Sequence, residues 1–324
     1  LGKNTLPRNT TGSYNTSIGY LTLNQNTTGL LNTAIGTNSM NLNVSGSFNT
    51  TLGASTLNNN TTGSRNIAIG TYSLINNITG FDNLAIGYQS QFSGIDNNSN
   101  TSVGNFTLNK NAAYYNSAFG FSSLRENING LDNCAFGNQS LLNNSYGSFN
   151  CSFGSESMIT NTYGDYNSAF GYISMYANTT GSQNSAFGSF SMSHNTTGNF
   201  NSSFGYGSLD DNTIGIYNCS FGSFNMISNT TGNRNVSFGS YTLAANTTGS
   251  NNSAFGTDAG NTITTGTNLT VVGYNSQPSS STATNQITLG NNLITSLRCN
   301  VTSITSLSDV RDKKNIKELS LGLN

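Results

Sequence analysis

The residues able to do chemistry are few and scattered. Twelve carboxylates, one histidine and four cysteines are spread over 324 residues. Asp82 and Asp132 occupy one position of a recurring pattern but lie three repeats apart. At the spacing of stacked strands that is roughly 14 Å, too far for the paired carboxylates of a glycoside hydrolase. Asp210 and Asp211 adjoin each other in a turn and read as a solvated corner. His194 sits beside a turn with no cysteine or acidic partner near it in sequence, so it makes a poor metal site. Cys134, Cys151 and Cys219 share a small-residue position and read as packed thiols, and no C-x-x-C occurs. Cys134 and Cys151 would stack at ~4.8 Å, within disulfide range but with poorly aimed parallel side chains. These residues predict no enzyme, no metal and no cofactor.

What must position them is a repeat. The pentapeptide NSAFG begins at 116, 167, 184 and 252, and every separation is a multiple of 17. The apolar residue before the motif glycine falls at Leu1, Ile18, Ile35, Leu52, Ile69, Ile86 and Val103, then after one 16-residue step at Phe119 and every 17 residues to Phe255, and finally at Val272 and Leu289. A short fixed period marks stacked units that cannot bury an apolar face alone. The expected fold is all-β, a parallel solenoid of about 18 rungs over 1–290.

Within a rung, two short strands joined by two turns are expected, because β-branched residues, Asn and Gly disfavour helix. Gly181, Gly198, Gly232 and Gly249 are expected to supply positive φ at a tight corner. Alternation places Phe187 with Ser185, and Ala186 with Asn184 on the other face. A core of stacked Phe against a Leu/Met column that includes Met192 is predicted. The residue before the apolar slot stays Ala, Ser or Thr from Ser17 to Ala254, which reads as the opposite wall of a thin rung or, the favoured reading, as the close approach of a neighbouring chain.

Two asparagine columns run beside it. One lies three residues before the apolar slot, from Asn15 to Asn252; the other opens the turn. Stacked amides can hydrogen-bond along the axis. Asn178, Asn195, Asn229 and Asn246 are also N-x-S/T sequons, and if any carries glycan the turn column is expected to be the accessible one. With 7% charged residues and a net charge of −1, neither nucleic acid nor an anionic membrane is an expected partner, and no apolar run is long enough to insert in a membrane. The chain opens inside a repeat at Leu1, which reads as the edge of a longer polypeptide.

One stretch breaks the pattern. In QFSGIDNNSN (91–100) the Leu/Met slot is Gln91 and the turn motif is lost, and the next rung is one residue short with AAYY at 112–115. A bulge accommodating a change of core width is one reading. An exposed ligand-contact patch of Phe92, Ile95, Tyr114 and Tyr115 is the other, because loops on a rigid scaffold commonly bind.

Asn-Ser-Ala-Phe-Gly followed two residues later by Ser resembles the head repeat of trimeric autotransporter adhesins, whose rungs form a left-handed parallel β-roll in a homotrimer. Such motifs also occur in viral fibres, and the period here exceeds the usual head repeat. After 290 the pattern changes to a segment expected to form a β-rich trimeric neck (291–307). SDVRDKKNIKEL at 308–319 resembles the start of an endosialidase-type intramolecular chaperone, truncated here at 324. That resemblance implies trimer assembly and self-cleavage between Ser308 and Asp309, with Lys313 as the base. The combined expectation is a homotrimeric fibre shaft of a virus or phage, displayed outside the cell and engaging a host cell-surface glycan or protein receptor. The alternatives are a bacterial surface adhesin head, a tail-spike polysaccharide depolymerase needing an acidic cleft, and an ice-binding solenoid exploiting the Thr-Thr columns.

Overall fold

A computed structural model describes residues 2–298. Seventeen strands form one sheet in which each strand pairs in parallel with the next along the chain. The first fifteen, from β1 (Thr16–Ile18) to β15 (Ser253–Phe255), are three residues long; β16 (Thr267–Val272) and β17 (Thr284–Leu289) have six. β10 (Ser168–Phe170) pairs with β11 (Ser185–Phe187) as Ser168–Ser185, Ala169–Ala186 and Phe170–Phe187. The fold is the expected parallel β-solenoid of 17-residue rungs, with no helix among the described residues.

Each strand ends at a glycine for a steric reason. Gly188 has φ +137°, and a Cβ there would collide with the Gly205 carbonyl of the following rung. The corner glycines act differently from the expectation. Gly181 is not in the left-handed region; it is required because a Cβ would strike the Asn178 amide oxygen and the Gly198 carbonyl.

The Leu/Met segment is not the expected second strand. Phe190 and Met192 have φ of 58° and 51°. Left-handed backbone at non-glycine residues costs of order 1–3 kcal/mol and persists where neighbours over-determine it. Here the neighbouring rungs do so: the Phe190 N–H donates to the Tyr172 carbonyl of the preceding rung and the Met192 N–H to the Ser208 carbonyl of the following one, both at 3.0 Å.

The strand phase is the reverse of the expected one. Ala186 and Met192 are fully buried, whereas Phe187 is only half-buried and faces outward. Asparagine decides this. The buried Asn184 amide serves the rungs on both sides: its Nδ2 donates to the Gly198 carbonyl of the following rung at 2.8 Å and to Asn167 Oδ1 of the preceding one at 3.2 Å, and its Oδ1 accepts from the Asn201 N–H at 2.9 Å. With Asn184 inward, alternation sends Ala186 inward and Phe187 outward. The small column is therefore small because the rung interior is narrow, not because another chain approaches it. Opposite it runs a Ser/Thr column; Ser191 Oγ donates to Ser203 Oγ at 2.8 Å.

The apolar core forms two clusters, Leu23 to Ala85 and Leu108 to Val271, with the buried Gln91 between them. The switch from aliphatic to Phe at residue 119 lies on the outer face, so it is no change of core width. Residues up to Asn291 form one compact unit. Residues 291–298, at the start of the expected neck, contain no strand. The remainder of that neck, with Ser308, Asp309 and Lys313, lies outside the described residues.

Candidate functional site

The regular corner has a fixed bonding pattern. Asn195 Nδ2 donates to Asn178 Oδ1 of the preceding rung at 2.8 Å and to the Gly198 carbonyl of its own corner at 3.1 Å. The N–H groups of Thr179, Thr180 and Gly181 converge on the Thr196 carbonyl at 2.9, 3.2 and 3.3 Å. The sequon residues Asn178, Asn195, Asn229 and Asn246 are thus all fully buried with Nδ2 engaged in the ladder, and the expectation that the turn column is accessible to glycan fails.

One corner is open. Gly94 takes the asparagine slot and Asn97 the glycine slot, so the ladder loses a member and Asn77 Oδ1 is left buried without a donor. Asn97 Nδ2 reaches the Asn111 carbonyl instead, at 2.6 Å. The rung above is short by one residue within its corner, although β6 (Thr101–Val103) and β7 (Ser117–Phe119) still pair in register. From Thr10 to Gly266, inter-rung backbone bonds join each corner to the next except here: the N–H groups of Ile95, Asp96 and Asn97 have no counterpart of the convergent set, and the Ala112 carbonyl receives none of them. A cavity of about 240 Å³ lies at this place, lined by Ser93, Ile95, Asp96, Asn97, Ala112 and Tyr114. Thr79 Oγ1 donates to one Asp96 oxygen. Of the expected contact residues, Ile95 and Tyr114 line the cavity. Tyr115 stands beside it, its ring centroid 6.5 Å from that of Tyr114, and the half-buried Phe92 is not in the lining. Beneath, Gln91 Nε2 donates to the Leu84 carbonyl and Ser102 Oγ at 3.2 and 3.1 Å, while its Oε1 is unpaired.

A second surface feature is the outward column. Nine phenylalanines from Phe119 to Phe255 stack face to face on successive strands, with centroids 4.5–5.5 Å apart. Further exposed stacks precede the strands, as in Phe149–Tyr166 and Phe200–Tyr217, each at 4.8 Å.

The remaining chemical residues sit on corners and the outer face. His194 does have acidic partners, contrary to expectation: Nδ1 lies 3.5 Å from Asp210 Oδ1 and 3.4 Å from Asp211 Oδ1. These three could present ligand atoms to a cation at the exposed corner, although Ser193 already donates to Asp210. The signal was in the period, since Asp211 follows His194 by 17 residues. Asp82 pairs with Arg65 of the preceding rung at 2.6 Å, and that hydrogen bond holds its carboxyl below the ordinary range. Cys134, Cys151 and Cys219 are free and half-buried on the Phe face; burial pushes all three thiols up, that of Cys134 to about 11. Among the described residues no helix is long and apolar enough to cross a membrane.

No protein-family model matches this chain, and neither a curated protein nor a solved structure matches it.

Proposed function

We propose that this chain is the shaft of a homotrimeric fibre of viral or phage origin, displayed outside the cell and serving attachment rather than catalysis. The observation that supports it is the outward phenylalanine column. Nine stacked rings, half-buried except for the exposed Phe238 and Phe255, make a continuous apolar strip on the outer face of the parallel sheet. A soluble monomer rarely leaves so long an apolar strip in water, and copies of the same chain meeting along the fibre axis cover it. The neighbour thus packs on the Phe column, not on the buried Ala/Ser column. The repeat resemblance supplies the trimer and the fibre context, and the resemblance at 308–319 supplies assembly by a chaperone.

Light scattering tests this reading. The expected mass is three times the 34.1 kDa of one chain. Phe170→Asp with Phe187→Asp should yield folded monomers, since neither ring is in the rung interior. A wild-type monomer at micromolar concentration rejects the assembly.

A further inference from the structure

The geometry points to the opened corner as a binding site for one neutral pyranose ring of a glycan. In the regular corners the first two N–H groups are consumed by the carbonyl of the next rung; at Ile95 and Asp96 neither is, and the space that carbonyl vacates is the cavity. The wall therefore offers backbone donors together with the acceptors Asp96 and Ser93, while Tyr114, Ile95 and Ala112 supply apolar surface.

Such a wall discriminates among ligand chemistries. A sugar ring has hydroxyl oxygens that accept from the N–H groups, hydroxyl protons that donate to the Asp96 carboxylate, and a C–H face that lies on an aromatic ring. An anion satisfies the donors but meets the Asp96 carboxylate, a like charge in a recess. A cation satisfies Asp96 but opposes the N–H dipoles, and an aliphatic group leaves every donor unpaired. Size agrees. At about 240 Å³ the cavity is below the usual range for drug-sized ligands and suits a single ring. The departures from the repeat all serve the opening. Gly94 removes the side chain that closes the ladder, Asn97 occupies its place, and the missing residue of the next rung draws its corner back.

This inference deepens the attachment reading and rests on it only in treating the ring as part of a receptor. One chain builds the recess, so loss of the trimer in light scattering bears on assembly and not on the pocket. The test is titration of the whole chain with methyl glycosides of glucose, galactose, mannose and N-acetylglucosamine, followed by calorimetry or saturation-transfer NMR. At least one should bind saturably. Tyr114→Ala should weaken that binding about tenfold or more, and so should an insertion variant in which 94–97 and 111–113 both become the regular Asn-Thr-Thr-Gly corner, which restores the 17-residue rung and lets the corner close. The insertion should keep or raise the thermal midpoint, separating loss of the site from loss of the fold. Tyr166→Ala, on a regular rung, should leave binding unchanged. The assignment is overturned if none of the four glycosides binds saturably, if a folded insertion variant binds as wild type does, if Tyr166→Ala is as damaging as Tyr114→Ala, or if sodium phosphate displaces the sugar.

Discussion

Phe187 lies over Phe204 with ring centroids 4.7 Å apart and planes 2° from parallel, while Ala186 beside it has no exposed surface. Adjacent residues thus belong to different environments, and bulk should be tolerated at one parity only. Ala186→Leu should cost about 1–3 kcal/mol by overfilling a narrow interior. Ser185→Leu, on the outer face, should leave the fold intact. Denaturant midpoints followed by circular dichroism compare them; equal losses would mean the strand phase is misassigned.

The amide ladder should be costly to interrupt. Asn195→Ala removes two donated bonds and strands the Asn178 Oδ1, while the Gly198 carbonyl keeps Asn184 Nδ2, a loss of about 2–4 kcal/mol. Because Nδ2 is the atom a glycan would occupy, peptide mapping of folded protein from a glycosylating host should find Asn178, Asn195, Asn229 and Asn246 unmodified. Sugar on Asn195 in the folded chain would falsify the burial of this column.

Gln91 is the weak point of the apolar core. Gln91→Met should raise stability by about 1–3 kcal/mol, because it removes the orphaned Oε1 and joins the two clusters. The carbonyls it serves keep other donors: Leu84 from Ser102 Oγ and Asn100 from the Leu84 N–H. A lower thermal midpoint for this variant contradicts the account.

The cysteines set an alkaline limit. Burial first, and then the neighbouring Cys151 thiol, pushes Cys134 from an ordinary 9.0 to about 11. A group whose pKa is higher in the fold holds its proton there, so this contribution to stability is complete below pH 9 and is lost as pH rises toward 11. Cys134→Ser should flatten that decline. Iodoacetamide at pH 8.5 should modify Cys134, Cys151 and Cys219 far more slowly in the folded chain than in denaturant. Rapid labelling of the native protein argues against this burial.

Period, parallel register and all-β class were legible because identical slots recur every 17 residues, whatever fills them. The inward face was not. Asn184 with Ala186 and Ser185 with Phe187 are equally regular alternations, and ordinary hydrophobicity favours the phenylalanine side. The interior is claimed instead by amides that close backbone bonds in the adjoining rungs, a demand visible only in three dimensions. The Leu/Met segment misled for a similar reason, since left-handed backbone at Met192 has no sequence signature. The opened corner was half-legible: the AAYY deletion and Gln91 marked the place, and aligning slots pairs Gly94 with Asn77 and Asn97 with Gly80. The unpaired N–H groups needed the fold.

The recurrence of one corner at fixed register has a consequence for heredity. Removing or duplicating any whole rung between Asn127 and Asn246 rejoins an amide donor to an amide acceptor and a carbonyl to its N–H groups, so the gene can lengthen or shorten in steps of 51 nucleotides while the register is kept. Slippage between near-identical repeats is a frequent event in copying DNA. The length of the solenoid is therefore a trait this molecule can vary in increments of one strand spacing, while the opened corner at residues 93–114 is carried along unchanged.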